Sequence, residues 1–121
     1  MKYLLMIYGN EGADAAQTPA AQQTEMAAYF AFTDELKKAG AMIDGKPLHP
    51  SSTATTVRVR DGKVQTVDGP FAETKEQCGG YYLVECKNLD EAIEWAAKIP
   101  HAKKSGIEVR PILEFSQTKT A

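Results

Sequence analysis

The chain has 121 residues, of which 43% are hydrophobic and 25% charged, and its net charge is −2, so we predict one soluble globular domain over residues 1–121. Its basic residues are dispersed, which argues against direct nucleic-acid binding, because that affinity depends on neutralising phosphates. No apolar run approaches the roughly 18 residues of a membrane-spanning helix, and Cys78 and Cys86 suit the reduced thiols of a cytoplasmic protein.

The first half of the chain predicts a strand, a connection and a helix. Residues 2–8 (KYLLMIY) are apolar on both alternating faces, which is typical of a strand covered on both sides. Residues 9–17 are small or polar, and we expect a mobile connection. Thr18 is the predicted helix N-cap, Pro19 the first helical residue and Gly40 the stop. The predicted apolar face of this helix comprises Met26, Tyr29, Phe30, Thr33 and Leu36.

The second half predicts mainly strands. Their ranges are 41–48, 54–60, 64–67, 80–87 and 107–113. The dipeptide Asp61-Gly62 marks a hairpin turn. Asn88 is placed to cap a second helix that ends at Pro100. Pro111 indicates an edge position for the last strand, because proline cannot donate a hydrogen bond to a neighbouring strand. Residues 116–121 read as a flexible polar tail.

The order strand, helix, strand, hairpin, strand, helix, strand predicts an α+β domain. It is the split βαβ arrangement of ferredoxin-like folds with an inserted hairpin. Helices cover only one face of such a sheet, yet residues 2–8 and 81–85 carry apolar side chains on the other face as well. We therefore predict a homodimer in which two sheets pack face to face and form a dimeric α+β barrel.

Three stretches of the sequence resemble a known family. DGPFAETKEQ at 68–77, TATTVRVRDGKV at 53–64 and GGYYLVE at 79–85 are similar to the YCII-related proteins of the DGPF type, and the resemblance covers nearly the whole chain. It implies a dimeric α+β barrel and a bacterial origin. Members are often encoded beside extracytoplasmic-function sigma factors, so the resemblance also implies a sigma factor as a partner and a link to transcription.

Some relatives in this family are thought to use a His-Asp pair, and one branch includes a dehydrochlorinase that acts on a chlorinated hydroxyquinol. The positions that match the pair are Tyr29 and Ile99 here. Tyrosine without a partner is a poor base at neutral pH. The resemblance therefore implies that this mechanism does not transfer, and that the protein is non-catalytic or weakly catalytic.

The DGPF loop has a structural and a functional interpretation. Asp68, glycine and proline build a rigid corner from which Phe71 can anchor the loop in the core, or the same residues contact a ligand. Behind the corner, Glu73, Lys75 and Glu76 place three charges in a short loop. They either bind a ligand, with the lysine meeting an anion and the second glutamate accepting hydroxyls, or pair with other charges and face water.

The histidines and tyrosines give further candidates. His49 follows the second predicted strand, where it is either a surface residue or, with Tyr29, a candidate for acid-base catalysis at a barrel mouth. His101 follows a helix end, where the helix dipole favours a cation. Tyr8 and Tyr29 either line a ligand pocket with Tyr81 and Tyr82 or pack in the core. Two histidines this far apart, without patterned carboxylates, predict no metal site.

No cofactor motif is present: the sequence lacks a glycine-rich phosphate loop, a nucleophile elbow and metal-ligand spacing. The favoured hypothesis is a regulatory module that binds a small molecule. The alternative is a cofactor-independent enzyme for a small aromatic or organic-acid substrate, using His49, Tyr29, Lys75 and Glu76. A third hypothesis is a dimeric adaptor that contacts a sigma factor.

Overall fold

The computed structural model describes residues 1–115, so the predicted tail at 116–121 lies outside the described residues. The strands are β1 (Lys2–Gly9), β2 (Met42–Pro47), β3 (Thr55–Arg60), β4 (Lys63–Asp68), β5 (Gln77–Glu85) and β6 (Gly106–Pro111). The α-helices are α1 (Glu11–Ala15), α2 (Pro19–Lys38) and α3 (Leu89–Ala97), and short 3₁₀ helices cover Ser51–Thr53 and Pro100–Lys103. No helix among residues 1–115 is long and apolar enough to cross a membrane.

The predicted ferredoxin-like α+β fold is confirmed. Four strands form a sheet in the order β2-β5-β1-β6, and each neighbouring pair is antiparallel. The inserted hairpin β3–β4 forms a separate two-stranded sheet. Strand β6 lies at an edge, as Pro111 predicted.

The core lies between one face of the sheet and the helices. Along β1, burial alternates strictly, and Tyr3, Leu5 and Ile7 face the helices. The largest fully buried side chains are Leu5, Leu36, Val84 and Ile99. On the other face of β1, Leu4, Met6 and Tyr8 are half-buried, and no helix in the described chain covers them. The two-faced apolar pattern thus correctly identified a strand, but one face lacks a covering layer within this chain.

Helix α2 begins and ends where the sequence predicted. Thr18 accepts a hydrogen bond from the Ala21 backbone N–H at 3.1 Å, and Gly40 follows the helix with φ of +71°. Its predicted apolar face is only partly correct. Phe32 and Leu36 are buried, whereas Met26 and Phe30 are 59% and 69% exposed. Met26 and Phe30 therefore lie outside the core of the described chain.

The segment 9–17, predicted as a mobile connection, instead contains α1. Asn10 caps this helix by accepting a hydrogen bond from the Ala13 N–H. The carboxylate of Glu11 accepts hydrogen bonds from both the backbone N–H and the hydroxyl of Ser51, the first residue of the 3₁₀ helix after β2. The prediction was wrong because these contacts join residues 40 positions apart, which local composition does not reveal.

The DGPF corner forms, but its phenylalanine is not in the core. Gly69 has a φ of +112°, which glycine adopts without strain, and its N–H donates to the Ala54 carbonyl at 2.7 Å. Phe71 is 75% exposed, and the Arg58 guanidinium lies over its ring at 4.9 Å. The hairpin carries this corner away from the main sheet, so the expected anchoring of Phe71 in the core is wrong.

Candidate functional site

A cavity of about 660 Å³ lies beside residues 22–33 of α2, bounded by the α1 segment and by β2 and β5. This volume falls within the range typical of small-molecule sites. The apolar part of its wall includes Ile7, Met26, Phe30, Met42, Pro47 and Tyr82. Met26 and Phe30, the two exposed large hydrophobic side chains of α2, are thus wall residues of a cavity.

One end of the cavity is polar. Tyr29, Asp14 and Glu25 lie in its wall. The Tyr29 hydroxyl is 2.5 Å from His101 Nδ1, and His101 Nε2 is 2.9 Å from Asp14 Oδ2. His101 itself is only 9% exposed. The four residues come from α2, from α1 and from the 3₁₀ helix after α3, so the fold brings together side chains that are distant in sequence.

Lys104 completes the network. Its ammonium is 3.0 Å from Asp14 Oδ1 and 2.5 Å from Glu25 Oε2. The other Glu25 oxygen is 4.0 Å from His101 Nε2. Two carboxylates, an ammonium and an imidazole therefore share one partly buried cluster, which we call the Asp14 network (Asp14, Glu25, Tyr29, His101 and Lys104).

Burial and hydrogen bonding shift the pKa values of several of these groups. Burial, with a smaller contribution from Glu25, raises the pKa of Tyr29 well above its ordinary value, so the hydroxyl keeps its proton. Burial tends to raise the pKa of Asp14, but hydrogen bonds from His101 and Lys104 outweigh it and the net pKa is lowered. For Lys104, burial tends to lower the pKa, and its bonds to Glu25 and Asp14 raise it overall. Asp14 is thus held as an anion and Lys104 as a cation.

The arrangement of hydroxyl, imidazole and carboxylate has a chemical consequence. A hydroxyl bonded to an imidazole that is in turn oriented by a carboxylate is the general geometry by which proteins activate a hydroxyl or relay a proton. Here Tyr29 keeps its proton at rest, and its hydroxyl can relay a proton from a ligand to His101, whose imidazolium Asp14 stabilises. The isolated tyrosine that the sequence suggested therefore has a basic partner.

The cluster also contains potential metal ligands. One atom each of Asp14, Glu25 and His101 lie within 4.8 Å of one another. In this structure the Lys104 ammonium bonds to both carboxylates and supplies the positive charge. A metal ion bound by Asp14, Glu25 and His101 would have to displace the Lys104 ammonium.

Among the residues predicted for the site, Tyr29 lies in the cavity wall, as do Tyr81 and Tyr82. Tyr8 lies on the uncovered face of the sheet, and His49 is exposed in the loop after β2. The loop candidates are all exposed and outside the wall: Asp68, Phe71, Glu73, Lys75 and Glu76. The structure does not bring these residues to Tyr29, and their roles in binding or catalysis stay predictions.

Sequence reasoning missed most of the Asp14 network. His101 was interpreted as a cation at a helix end, but its ring is buried and bonded to Tyr29 and Asp14. Ile99, at the position matching the family aspartate, is 1% exposed and belongs to the core. The available signal was that His101 lies two residues beyond this matched position. Asp14 gave no signal, because it lies in a segment that looked like a plain connection.

Comparison with known proteins identifies counterparts of this chain. The YCII-related domain matches residues 1–116. An uncharacterized protein of Rhizobium meliloti (strain 1021) is 35% identical over 114 residues, covering 93% of this chain and 92% of that protein. In fold, the chain is similar to 5-chloro-2-hydroxyhydroquinone dehydrochlorinase from Burkholderia phenoliruptrix AC1100, solved in complex with 2,5-dihydroxybenzoquinone. The TM-score is 0.53 at 18% identity, covering 95% and 96% of the two chains.

Proposed function

The chain belongs to the YCII-related family, and we propose that it binds a small, largely apolar organic molecule in the cavity beneath α2. The observation that carries this proposal is the shape and composition of the cavity. An apolar wall that includes the exposed Met26 and Phe30 ends in the hydrogen-bonded Tyr29 and Asp14. Apolar walls with a few convergent polar groups are typical of ligand sites.

A blocking substitution in the wall tests this proposal. Ala15 lines the cavity, whereas its neighbour Ala16 is exposed outside the wall. We expect Ala15→Trp to abolish the NMR shift changes that small aromatic compounds cause in cavity residues, because the indole occupies the space. The first compound to titrate is resorcinol, an aromatic diol that is uncharged at neutral pH and similar in size to the ring ligand of the neighbour in fold.

Ala16→Trp is the matched control and is expected to bind as the unmodified protein does. Equal binding by both tryptophan variants would place the ligand elsewhere. Retained dispersion of the remaining NMR signals shows that each variant is folded.

The cofactor-independent enzyme is a second candidate, favoured by the contact between Tyr29, His101 and Asp14. General acid-base catalysis needs a proton-accepting group within hydrogen-bond reach of the reacting atom, directly or through a relay. His101 supplies that group through the Tyr29 hydroxyl. This candidate uses His101 in place of His49, which is outside the cavity wall.

Deuterium exchange tests this candidate through a single step, the removal and return of a proton on carbon. We expect the protein to accelerate the uptake of deuterium from D₂O into the ring C–H of resorcinol at neutral pH, followed by NMR. Tyr29→Phe and His101→Gln should reduce the rate to that in buffer, because each breaks the relay. If the unmodified protein does not exceed buffer, acid-base chemistry on this compound is contradicted, while binding can persist.

We further propose that the protein is a homodimer in the cytoplasm. The half-buried apolar residues Leu4, Met6 and Leu83 on the open face of the sheet support a second copy as its cover. The free cysteines Cys78 and Cys86 suit a reducing compartment. Regulation together with a sigma factor remains a prediction of the family resemblance.

A further inference from the structure

The Lys104 ammonium determines which group donates and which accepts in the hydrogen bonds that join Asp14, His101 and Tyr29. An ammonium has only donors, and it bonds to Asp14 Oδ1 at 3.0 Å. This ion pair with the Lys104 ammonium favours the ionised form of Asp14. An ionised carboxylate only accepts, so Asp14 must accept from His101 as well.

His101 transmits this direction to Tyr29. Its Nε2 lies 2.9 Å from Asp14 Oδ2 and therefore carries the proton that it donates. In the neutral imidazole Nδ1 is then without a proton and can only accept. The Tyr29 hydroxyl, 2.5 Å away, donates to it. The donors of the chain thus run from Tyr29 to His101 to Asp14, and the last acceptor is held by Lys104.

At the Tyr29 end of the cavity, the groups left for a ligand are acceptors; the Lys46 ammonium also lies in the wall but is paired with Asp44. Tyr29, Asp14 and Glu25 lie in the cavity wall, whereas the donors His101 and Lys104 do not. The Tyr29 proton is committed to His101, and its oxygen keeps unused lone pairs. Several other polar groups of the wall are hydrogen-bonded within the protein. Lys46 and Tyr81 both donate to Asp44, Thr33 is bonded to Tyr82, and the Gln22 side-chain amide donates to the Gln17 carbonyl.

We infer that the polar end of this cavity selects ligands that bring an uncharged O–H or N–H donor and rejects anions such as carboxylates. The inference rests on the proposed function and adds the class of ligand to it. It also separates the two substrate classes of the sequence-based hypothesis, because a neutral hydroxylated aromatic compound fits and an ionised organic acid does not.

Three probes of similar size test the selectivity: benzyl alcohol, benzyl methyl ether and benzoate, titrated at neutral pH and followed by the NMR shifts of cavity residues. We expect benzyl alcohol to bind roughly threefold to tenfold more tightly than the ether, the range given by one net hydrogen bond. Benzoate should bind more weakly than both. In Tyr29→Phe the advantage of the alcohol over the ether should shrink, because the acceptor oxygen is gone. Benzoate binding as tightly as the alcohol would overturn the inference.

A second measurement needs no ligand. Long-range ¹H–¹⁵N correlation of the His101 ring should show a protonated Nε2 and an unprotonated Nδ1 at neutral pH. The opposite tautomer, or a ring protonated at both nitrogens, would make Tyr29 the acceptor and overturn the inference even if ligands bind. If no probe shifts any cavity residue but the tautomer is as expected, the proposed ligand class fails while the direction of the hydrogen bonds stands.

Discussion

At the scale of single residues, the contact between Asp14 and His101 depends on the absence of a side chain at Gly9. A Cβ built on Gly9 would lie 2.9 Å from Asp14 Oδ2 and 2.9 Å from His101 Cδ2. Real Cβ atoms essentially never approach other heavy atoms this closely. The Asp14 carboxylate and the His101 imidazole therefore pack directly against the backbone at the end of β1.

We expect Gly9→Ala to separate Asp14 from His101 and to lower the free energy of unfolding by about 1–3 kcal/mol, the usual cost of overpacking a well-filled site. Urea unfolding measures the stability, and the His101 ring ¹⁵N shifts report the lost contact. Gly106→Ala in β6 is the control, because a Cβ there meets nothing within 4 Å. A Gly9→Ala variant with unchanged stability and ring shifts would contradict the assigned contact.

Predictions for single residues were correct where the conformation depends only on residues nearby in the sequence. The glycine after the DGPF aspartate does adopt a positive φ, and Thr18 does cap α2. The predictions failed for Phe71 and missed the hydrogen bonds of His101, because both environments depend on which distant groups approach them. A phenylalanine after a tight turn points into the core only if the turn lies on the core, and here the hairpin carries it outward.

At the scale of elements, α1 is the piece that sequence did not predict and that the site most needs, because it carries Asp14. Five residues are too few for a stable isolated helix, since helix nucleation is unfavourable. Hydrogen bonds from α1 to other parts of the fold must therefore stabilise this helix. The bonds from Ser51 to Glu11 are among them, and so is the bond from the Glu11 N–H to the Gln77 side chain.

We expect Glu11→Ala to increase hydrogen exchange of the α1 amides at least about tenfold, because it removes two hydrogen bonds to a charged group. Exchange in β1 and β5 should stay unchanged, since their pairing does not involve this side chain. Glu73→Ala, in the exposed loop, is the matched control and should leave α1 unaffected. Slow exchange of α1 in the Glu11 variant would show that other contacts suffice to hold it.

At the scale of the whole molecule, one face of the sheet and one face of the hairpin present apolar side chains that nothing in the described chain covers. On the sheet these include Leu4 paired with Leu83. On the hairpin, Val59 pairs with Val64, and they are 65% and 70% exposed. Burial of such surface drives association of protein chains.

We expect sedimentation at micromolar concentration to give twice the chain mass of 13.2 kDa. Leu83→Lys should convert the dimer to monomer, because it buries a charge without a partner in the contact between sheets. Leu89→Lys is the control, since Leu89 is 48% exposed at the start of α3, on the helical side. A monomeric unmodified protein would contradict the proposed homodimer.

The sequence by itself determined the order of the principal strands and helices, the ends of α2, the edge position of β6 and the ferredoxin-like topology. These depend on local properties, namely the alternation of apolar residues along a strand and the backbone preferences of threonine, proline and glycine. Only the tertiary structure decided the site. Tyr29 and His101 are 72 positions apart, and Asp14 and His101 are 87 apart. Such distances leave no periodic trace in a sequence, because the side chains meet only after the sheet has placed their elements side by side.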